Sequence, residues 1–300
     1  MSLSQQRSYG SPAAFRRALT DRLRTKAETS RWTLSQLQRQ IAYDRLLERL
    51  YLHDNAWIVK GATALLARDI GVRGSLDVDV YREALREVAE AELRQAATQD
   101  IGDWFRFEIA VALPVVEGTS GVRIPVRAYV GATVWAEFHI DLVGSDLRMT
   151  GEPEVVPPLV RIVMPDIEQH GYYAYPLVDH VADKVCAIPE PHGEAGHPST
   201  RYRDLVDLVA IGTAASVEAE AQLSAVGSEA KRRDLALPRR FDVPDRALWE
   251  PGYAAEAGRS LLPIALTLDE ALTVVRPFLD PLLDSTAAGA WDPTRGTWST

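Results

Sequence analysis

The sequence contains one cysteine, no secretory signal and no apolar run long enough to cross a bilayer. A membrane helix needs about 20 consecutive apolar residues, and a secretory signal needs a short apolar block that the N-terminus lacks. Cys186 cannot form an internal disulfide, and its apolar neighbours Val185 and Ala187 predict a small buried residue. We therefore expect a cytoplasmic protein without membrane contact and without redox chemistry.

Two common catalytic motifs are missing as well. The sequence has no Walker lysine loop and no Gly-x-Ser-x-Gly elbow, which argues against a P-loop NTPase and against an α/β-hydrolase. It does have 300 residues, of which 46% are hydrophobic and 25% charged. These values are typical of a soluble globular protein with one or two domains.

The net charge of -9 argues against nonspecific binding of nucleic acid by the whole surface, but basic residues are clustered. The first cluster contains Arg17, Arg22, Arg24, Lys26, Arg31, Arg39 and Arg45. The second contains Lys231, Arg232, Arg233, Arg239 and Arg240. Each cluster is either a solvated helix face or a docking patch for a polyanion such as RNA.

Hydrophobic periodicity predicts the order of the elements. Three- and four-residue spacing from Phe15 to Tyr51 indicates two helices that are broken near Thr29 and Ser30. Apolar runs and alternation predict strands at 57–59, 76–80, 104–113, 123–130 and 133–143. Helical periodicity is found at 82–97, 177–188, 201–214, 217–233 and 268–283, the last interrupted at Pro277.

This order predicts an α/β protein of the α+β kind, with N-terminal helices, a core containing a small mixed or antiparallel sheet, and a helical C-terminal lobe. We expect the boundary between two domains to lie near 151–158. Residues 1–155 then form the N-terminal helices and the core, and residues 156–300 form a mainly helical domain that completes the active site.

Asp77 and Asp79 lie in an alternating segment, so a strand places both carboxylates on one face and the aliphatic side chains on the other. Magnesium prefers carboxylate oxygens and keeps waters and substrate phosphates, so this pair suits it. Alone, an Asp-x-Asp pattern more often marks an exposed strand edge.

Lys60 and Gly61 end the apolar run that precedes this segment, just before a helical pattern. A glycine turn at a helix N-terminus offers N–H groups to phosphate oxygens, and Thr63 adds a hydroxyl. The sequence therefore predicts a phosphate-binding turn close to the two aspartates.

A third carboxylate is expected, because a two-metal clamp must hold both the attacking and the leaving oxygen. Asp141 is the candidate, since it lies near the end of a predicted strand that is able to pair beside the Asp77 strand. On its own, Asp141 is also consistent with an aspartate that caps a turn.

Four blocks between Ala56 and Val209 resemble, in order and spacing, the AbiEii type of nucleotidyltransferase toxins, which includes the MenT toxins and belongs to the DNA polymerase β-like superfamily. In the family patterns, h stands for an apolar residue. Val59–Leu65 is similar to the pattern Lys-Gly-Gly-Thr/Ser-x-Leu, and Arg73–Asp79 is similar to Arg-x-Ser-x-Asp-h-Asp. Ala182–Ala187 is similar to Glu/Gln-Lys-h-x-Ala, and Arg201–Leu208 is similar to Arg-x-x-Asp-Leu-x-Asp-Leu. The four together are far more specific than any one of them.

The resemblance implies a polymerase β-like fold and transfer of a nucleoside monophosphate from an NTP with Mg²⁺, for which Mn²⁺ can substitute. It implies metal ligands Asp77 and Asp79 with Asp141 in a looser third position, Lys184 on the triphosphate, Asp207 as an active-site acid, and nucleotide-binding residues Lys60, Gly61, Thr63, Ser75, Lys184 and Arg203. Asp141 or Asp207 is then the proton acceptor. One departure is Ala62, which stands where the family usually has a second glycine and puts nucleotide affinity in question.

In related toxins the acceptor is the 3′ end of tRNA. The resemblance therefore implies a toxin of a type IV-like toxin–antitoxin system that blocks translation, with an RNA acceptor and a cognate antitoxin protein as partners. Two alternatives stay open at this stage: a nucleotidyltransferase that acts on a small molecule such as an antibiotic or a sugar, and a catalytically silent binding protein of the same fold.

Overall fold

The computed structural model describes residues 7–52, 55–114, 121–144, 148–191, 193 and 196–299. Within these ranges the helices are α1 Pro12–Thr29, α2 Leu34–Tyr51, α3 Gly61–Ala67, α4 Arg86–Ala97, α5 Leu177–Ala187, α6 Tyr202–Ala214, α7 Ala219–Arg232, α8 Arg246–Arg259 and α9 Leu268–Leu283. The strands are β1 Trp57–Val59, β2 Asp77–Arg82, β3 Phe105–Ile109, β4 Leu113–Pro114, β5 Val122–Val130, β6 Thr133–Val143, β7 Glu154–Val156, β8 Tyr172–Ala174, β9 Trp291–Asp292 and β10 Thr297–Trp298.

The chain divides into two units that interleave along the sequence. Unit 1 comprises Met1–Arg68, Ser75–Leu147 and Glu154–Ala174, and unit 2 comprises Asp69–Gly74, Arg148–Pro153 and Tyr175–Thr300. Unit 1 therefore contains every element up to β8, and unit 2 contains α5 to α9 with the β9–β10 hairpin. No helix in the described ranges is both long and apolar enough to span a membrane.

Unit 1 is built on a mixed sheet with the strand order β3-β5-β6-β2-β1-β8-β7, and β4 pairs with β5 beside this path. The β2–β6 and β1–β8 pairs are parallel, and the other pairs are antiparallel. The α/β class is confirmed, but the sheet is larger than predicted. Strands β7 and β8 have only three residues each, which is too short for alternation to be recognised.

The predicted break between the first two helices is confirmed. Ser11 caps α1 by accepting a hydrogen bond from the Ala14 N–H, and proline occupies the first turn. Thr33 and Gln36 form a capping box at the start of α2. Buried side chains of α1, such as Phe15, join the same hydrophobic core as the inward-facing residues of the sheet.

A buried ionic cluster joins α2 to the segment that precedes β3. The side chains of Arg45 and Arg49 are 1% and 0% exposed, and both donate to Asp103, which is 0% exposed. Arg49 Nη2 lies 2.7 Å from Asp103 Oδ1, and Arg45 Nε lies 2.7 Å from Asp103 Oδ2. Arg45 therefore belongs neither to a solvated helix face nor to a docking patch. Both interpretations of the first basic cluster are wrong for this residue.

Unit 2 is helical, and buried tryptophans satisfy their indole N–H groups within it. Trp249 of α8 donates to the Ser199 carbonyl at 2.8 Å, and Trp291 of β9 donates to the Gly212 carbonyl at 2.7 Å. Cys186 on α5 is 0% exposed, as predicted. Burial raises the pKa of its thiol to about 12, so the thiolate is not formed near neutral pH.

Two features of unit 2 differ from the sequence predictions. Helix α9 runs without interruption through Pro277 and Pro281, because its apolar face, including Val275 and Phe278, is fully buried and packing outweighs the lost backbone hydrogen bonds. Helix α8 was not predicted, because Pro251 lies inside it and its apolar residues recur only weakly at helical spacing.

Candidate active site

Three carboxylates lie on one face of the unit 1 sheet. Strands β2 and β6 run parallel in the register that pairs Asp79 with Asp141 and Asp77 with His139. The intervening residues, such as Val78 and Ile140, are buried on the opposite face. The predicted pairing of the Asp141 strand beside the Asp77 strand is therefore confirmed.

Arg123 of β5 lies directly opposite Asp141 in the sheet. Its Nε and Nη2 atoms donate to the two oxygens of Asp141 at 2.8 and 2.7 Å. Its Nη2 also lies 3.4 Å from Asp77 Oδ2, while His139 Nδ1 lies 3.4 Å from Asp77 Oδ1. The hydrogen bond to Asp141, and then the charges of the carboxylates, raise the pKa of Arg123.

Three hydroxyl groups fix the backbone at the start of β2. Ser75 Oγ donates to the Asp77 carbonyl at 2.8 Å and accepts from the Asp77 N–H at 3.2 Å. Tyr43 of α2 donates to the Ser75 carbonyl. Thr63 is fully buried and its hydroxyl donates to the Asp77 carbonyl at 3.3 Å, so its side chain supports β2 and does not face a ligand in solvent.

Gly61 fits closely against Asp79. Its φ is +58°, and a Cβ atom there would lie 1.9 Å from Asp79 Oδ2. The Lys60 N–H donates to the Asp79 carbonyl at 2.8 Å, which holds the turn and the strand together. Ala62, in contrast, lies in the first turn of α3, is buried, and is not among the described non-glycine residues with positive φ. The glycine that this turn requires is therefore the one that the chain retains.

The chemistry of this face fits magnesium at two carboxylates. In the described residues, no group of three or more His, Cys, Asp and Glu side chains is arranged to hold an ion, and both oxygens of Asp141 accept from Arg123. Magnesium in nucleotide sites is commonly held by one or two carboxylates together with waters and substrate phosphates. Asp77 and Asp79, side by side on one strand face, supply that donor set.

A second cluster of charged side chains lies in unit 2. Lys184 of α5 donates through Nζ to Asp204 at 2.7 Å and to Asp207 at 2.8 Å. The two aspartates are three residues apart on α6 and share one helix face, as predicted. Arg73 donates to both oxygens of Asp207 at 2.9 Å. One carboxylate thus holds two cationic side chains.

Lys184 and Asp207 are both ionised near neutral pH. Burial by itself lowers the pKa of Lys184, but Asp204 and Asp207 more than offset it, and the net pKa is raised. Burial by itself raises the pKa of Asp207, but Lys184 and Arg73 more than offset it, and the net pKa is lowered. A carboxylate with a lowered pKa is a poor proton acceptor, so Asp207 is better suited to holding Lys184 and Arg73.

The other predicted nucleotide-binding residues are more exposed. Lys60 is half-buried at the N-cap of α3. Arg203 is 63% exposed, and its Nε lies 3.1 Å from Glu256 Oε2.

Arg123 was missed by the sequence predictions, because only the register of β5 on β6 reveals it. Arg73 was part of a recognised block, yet its partner Asp207 lies far along the chain.

Residues 45–276 match the sequence profile of the family described as nucleotidyl transferase AbiEii toxin, type IV toxin–antitoxin system. This chain belongs to the AbiEii family. The matched range includes every predicted site residue, from Lys60 to Asp207. By family it is a toxin nucleotidyltransferase.

Two solved structures are similar to the chain. The chain is similar to MenT4, a nucleotidyltransferase toxin from Mycobacterium tuberculosis H37Rv, with a TM-score of 0.57 and 16% identity over 92% of each chain. It also matches JHP933 from Helicobacter pylori, with a TM-score of 0.46 and 16% identity over 82% of this chain and 92% of that one. The MenT4 likeness shows a shared fold over a longer part of the chain than the profile match covers. No curated protein sequence matches the chain.

Proposed function

We propose that this AbiEii-family protein transfers a nucleoside monophosphate from an NTP to the 3′ end of a tRNA, with magnesium, and thereby blocks translation. The observation that supports it most is the parallel pairing of β2 with β6, which brings Asp77, Asp79 and Asp141 to one sheet face. A cognate antitoxin protein is the partner that the type IV family implies.

Asp77 and Asp79 are the residues proposed to hold the divalent ion, with Asp141 beside them in its pair with Arg123. When bound, the ion neutralises phosphate charge and orients the in-line displacement. Ser75 and Thr63 keep the two carboxylates in position through the backbone of β2. Gly61 leaves room for Asp79 and offers its backbone beside it.

The roles proposed in unit 2 follow from its ion pairs. Lys184 stays protonated because Asp204 and Asp207 raise its pKa, so it is a permanent cation suited to the triphosphate. Asp207 positions it. Arg203, which is exposed, is a further candidate contact for phosphate.

Exposed arginines of α1 and of the α1–α2 connection are proposed to hold the RNA backbone. Arg17, Arg22, Arg24 and Arg31 are exposed. In the second cluster Arg233 is less suited to this role, because its side chain is only 16% exposed and pairs with both Glu190 and Glu229. Binding of phosphates by a few arginines predicts that affinity for RNA falls as salt rises.

The experiment is a transfer assay with purified protein, Mg²⁺, total tRNA and each of the four labelled NTPs in turn. Label is expected in tRNA with at least one NTP. The matched control is the same tRNA after periodate oxidation, which destroys the terminal 2′,3′-diol and is expected to abolish labelling. If no RNA is labelled with any NTP, the RNA acceptor is wrong, and labelling of added aminoglycosides or sugar phosphates identifies the small-molecule alternative.

Replacing Gly61 by alanine tests the turn beside Asp79. The new Cβ displaces the Asp79 carboxylate, and a misplacement of about 1 Å costs roughly a hundredfold in rate. We expect a loss of this size in the tRNA assay. The positive φ of the residue adds a stability loss of about 1 kcal/mol, measurable by urea denaturation.

Gly296→Ala is the matched control for Gly61→Ala. Gly296 has a φ of +64° and nothing within 4 Å of an added Cβ, so its substitution carries the backbone strain without the contact. We expect a similar loss of stability and an unchanged transfer rate. Equal rates for the two variants would contradict the role assigned to the Gly61–Asp79 contact.

A further inference from the structure

Arg123 occupies a position on the carboxylate face that no motif marks. Both oxygens of Asp141 accept its hydrogen bonds, in the bidentate geometry that arginine favours. The same guanidinium lies 3.4 Å from Asp77. One arginine therefore bridges two of the three carboxylates, and each oxygen of Asp141 already accepts a hydrogen bond from it.

Arg123 places a fixed positive charge among these carboxylates. Its Nη2 lies 2.7 Å from Asp141 Oδ2 and 3.4 Å from Asp77 Oδ2. A second ion would be placed beside the Arg123 charge, and an arginine cannot be deprotonated to relieve the repulsion. The nearby His139 ring faces Asp77 at 3.4 Å and adds no negative charge.

The pairing is also rigidly placed. Arg123 and Asp141 are cross-strand neighbours in the antiparallel β5–β6 pair. The backbones of both residues are therefore held by the sheet, and neither residue lies in a loop. The next outward-facing acid of β6, Glu137, pairs with Arg127 in the same way. Arg127 lies farther from the carboxylates and serves as a natural control.

We propose that Arg123 takes the place of a second divalent cation, so that the chain binds one ion, at Asp77 and Asp79, and Asp141 is a positioning residue for Arg123. This inference rests on the proposed function, because it assumes that the face supports nucleotidyl transfer. In-line transfer develops charge on both the attacking and the leaving oxygen, and the guanidinium supplies a fixed cation for one of them.

The test is the stoichiometry of Mn²⁺ binding to the full chain without nucleotide, from electron paramagnetic resonance of the free ion. The wild type is expected to saturate at one ion per chain. In Arg123→Ala, a second ion is expected, with affinity about tenfold or more above any second binding in the wild type, since a positive charge within ~4 Å has been removed. Arg127→Ala is expected to keep one ion.

Further variants separate a ligand from a positioning residue. Asp141→Asn is expected to bind one ion still, though more weakly, while Asp79→Asn binds none, and thermal melts check that each variant is folded. Two ions in the wild type, one ion in Arg123→Ala, or no ion in Asp141→Asn would each overturn the inference. A wild type that binds two ions and labels tRNA overturns the inference alone, whereas one that binds a single ion and labels no acceptor overturns the proposed function.

Discussion

Asp77→Asn is expected to lower tRNA labelling by about a thousandfold or more, because the charge stabilisation provided by a bound metal is worth several kcal/mol. The amide has the same shape as the carboxylate but carries no charge for the ion. The side chain is 30% exposed, so we expect the melting temperature to change little, as for other surface substitutions. The measurements are the initial rate in the transfer assay and a thermal melt.

Glu137→Gln is the matched control. Glu137 lies on the same face of β6, is paired with an arginine of β5 as Asp141 is, and is 61% exposed. The control removes one negative charge from the face without touching the Asp-x-Asp pair, and its rate should stay near that of the wild type. A near wild-type rate for Asp77→Asn would contradict the metal-binding role, and an equal loss in both variants would point to a general effect of charge.

Asp103→Ala is expected to destabilise the protein by about 3–5 kcal/mol, because it leaves two buried guanidinium groups without their shared carboxylate. Arg45, Arg49 and Asp103 are each no more than 1% exposed, so water cannot replace the lost partner. Urea denaturation followed by circular dichroism measures the change as a lower midpoint at unchanged slope.

The ion pair between Arg7 and Asp100 is the control for this substitution. Its side chains are 33% and 69% exposed, and exposed pairs contribute about 1 kcal/mol or less. Asp100→Ala should therefore lower the midpoint only slightly. A loss for Asp103→Ala no larger than that for Asp100→Ala would contradict the importance of the buried cluster.

Acid provides an independent check on Asp103. Arg49 and Arg45 lower the pKa of Asp103 despite its burial. A group whose pKa is lower in the folded than in the unfolded state contributes stability above the unfolded value, about 3.9 for aspartate, and this contribution is lost as the pH falls through the folded value. The difference in unfolding free energy between wild type and Asp103→Ala should accordingly be constant from neutral pH to about 5 and shrink in stronger acid.

Much of unit 1 could be predicted from local patterns. The alternation around Asp77 predicts β2 because aliphatic and acidic residues must face opposite sides of a strand, and the neighbouring strand with Asp141 shows the same alternation. The register of β5 on β6 could not be predicted in the same way. Arg123 and Asp141 are 18 residues apart in the sequence, and their opposition depends on the turn between the strands and on the irregularity at Ala128 and Tyr129, which the spacing of residues within either strand does not reveal.

Long-range partners explain most of what could not be predicted. Arg73 lies two residues before Ser75, yet its carboxylate partner, Asp207, is 134 residues away and is found only through the fold. Burial likewise cannot be read from charge: Arg45 has the same local pattern as the exposed arginines of α1, but tertiary packing encloses it. The prolines of α9 are tolerated for a related reason, since the buried face of the helix stabilises it.

The rate at which a thiol reagent modifies the single cysteine reports on the opening of unit 2. Cys186 is fully buried on α5, and its raised pKa keeps it protonated, so a thiol reagent reacts with it only when that helix opens. The rate of modification therefore times the opening of unit 2 in the unaltered protein. Asp103 lies in unit 1. Comparing the rate of Cys186 modification in the wild type and in Asp103→Ala therefore shows whether loss of the buried ionic cluster in unit 1 speeds the opening of unit 2.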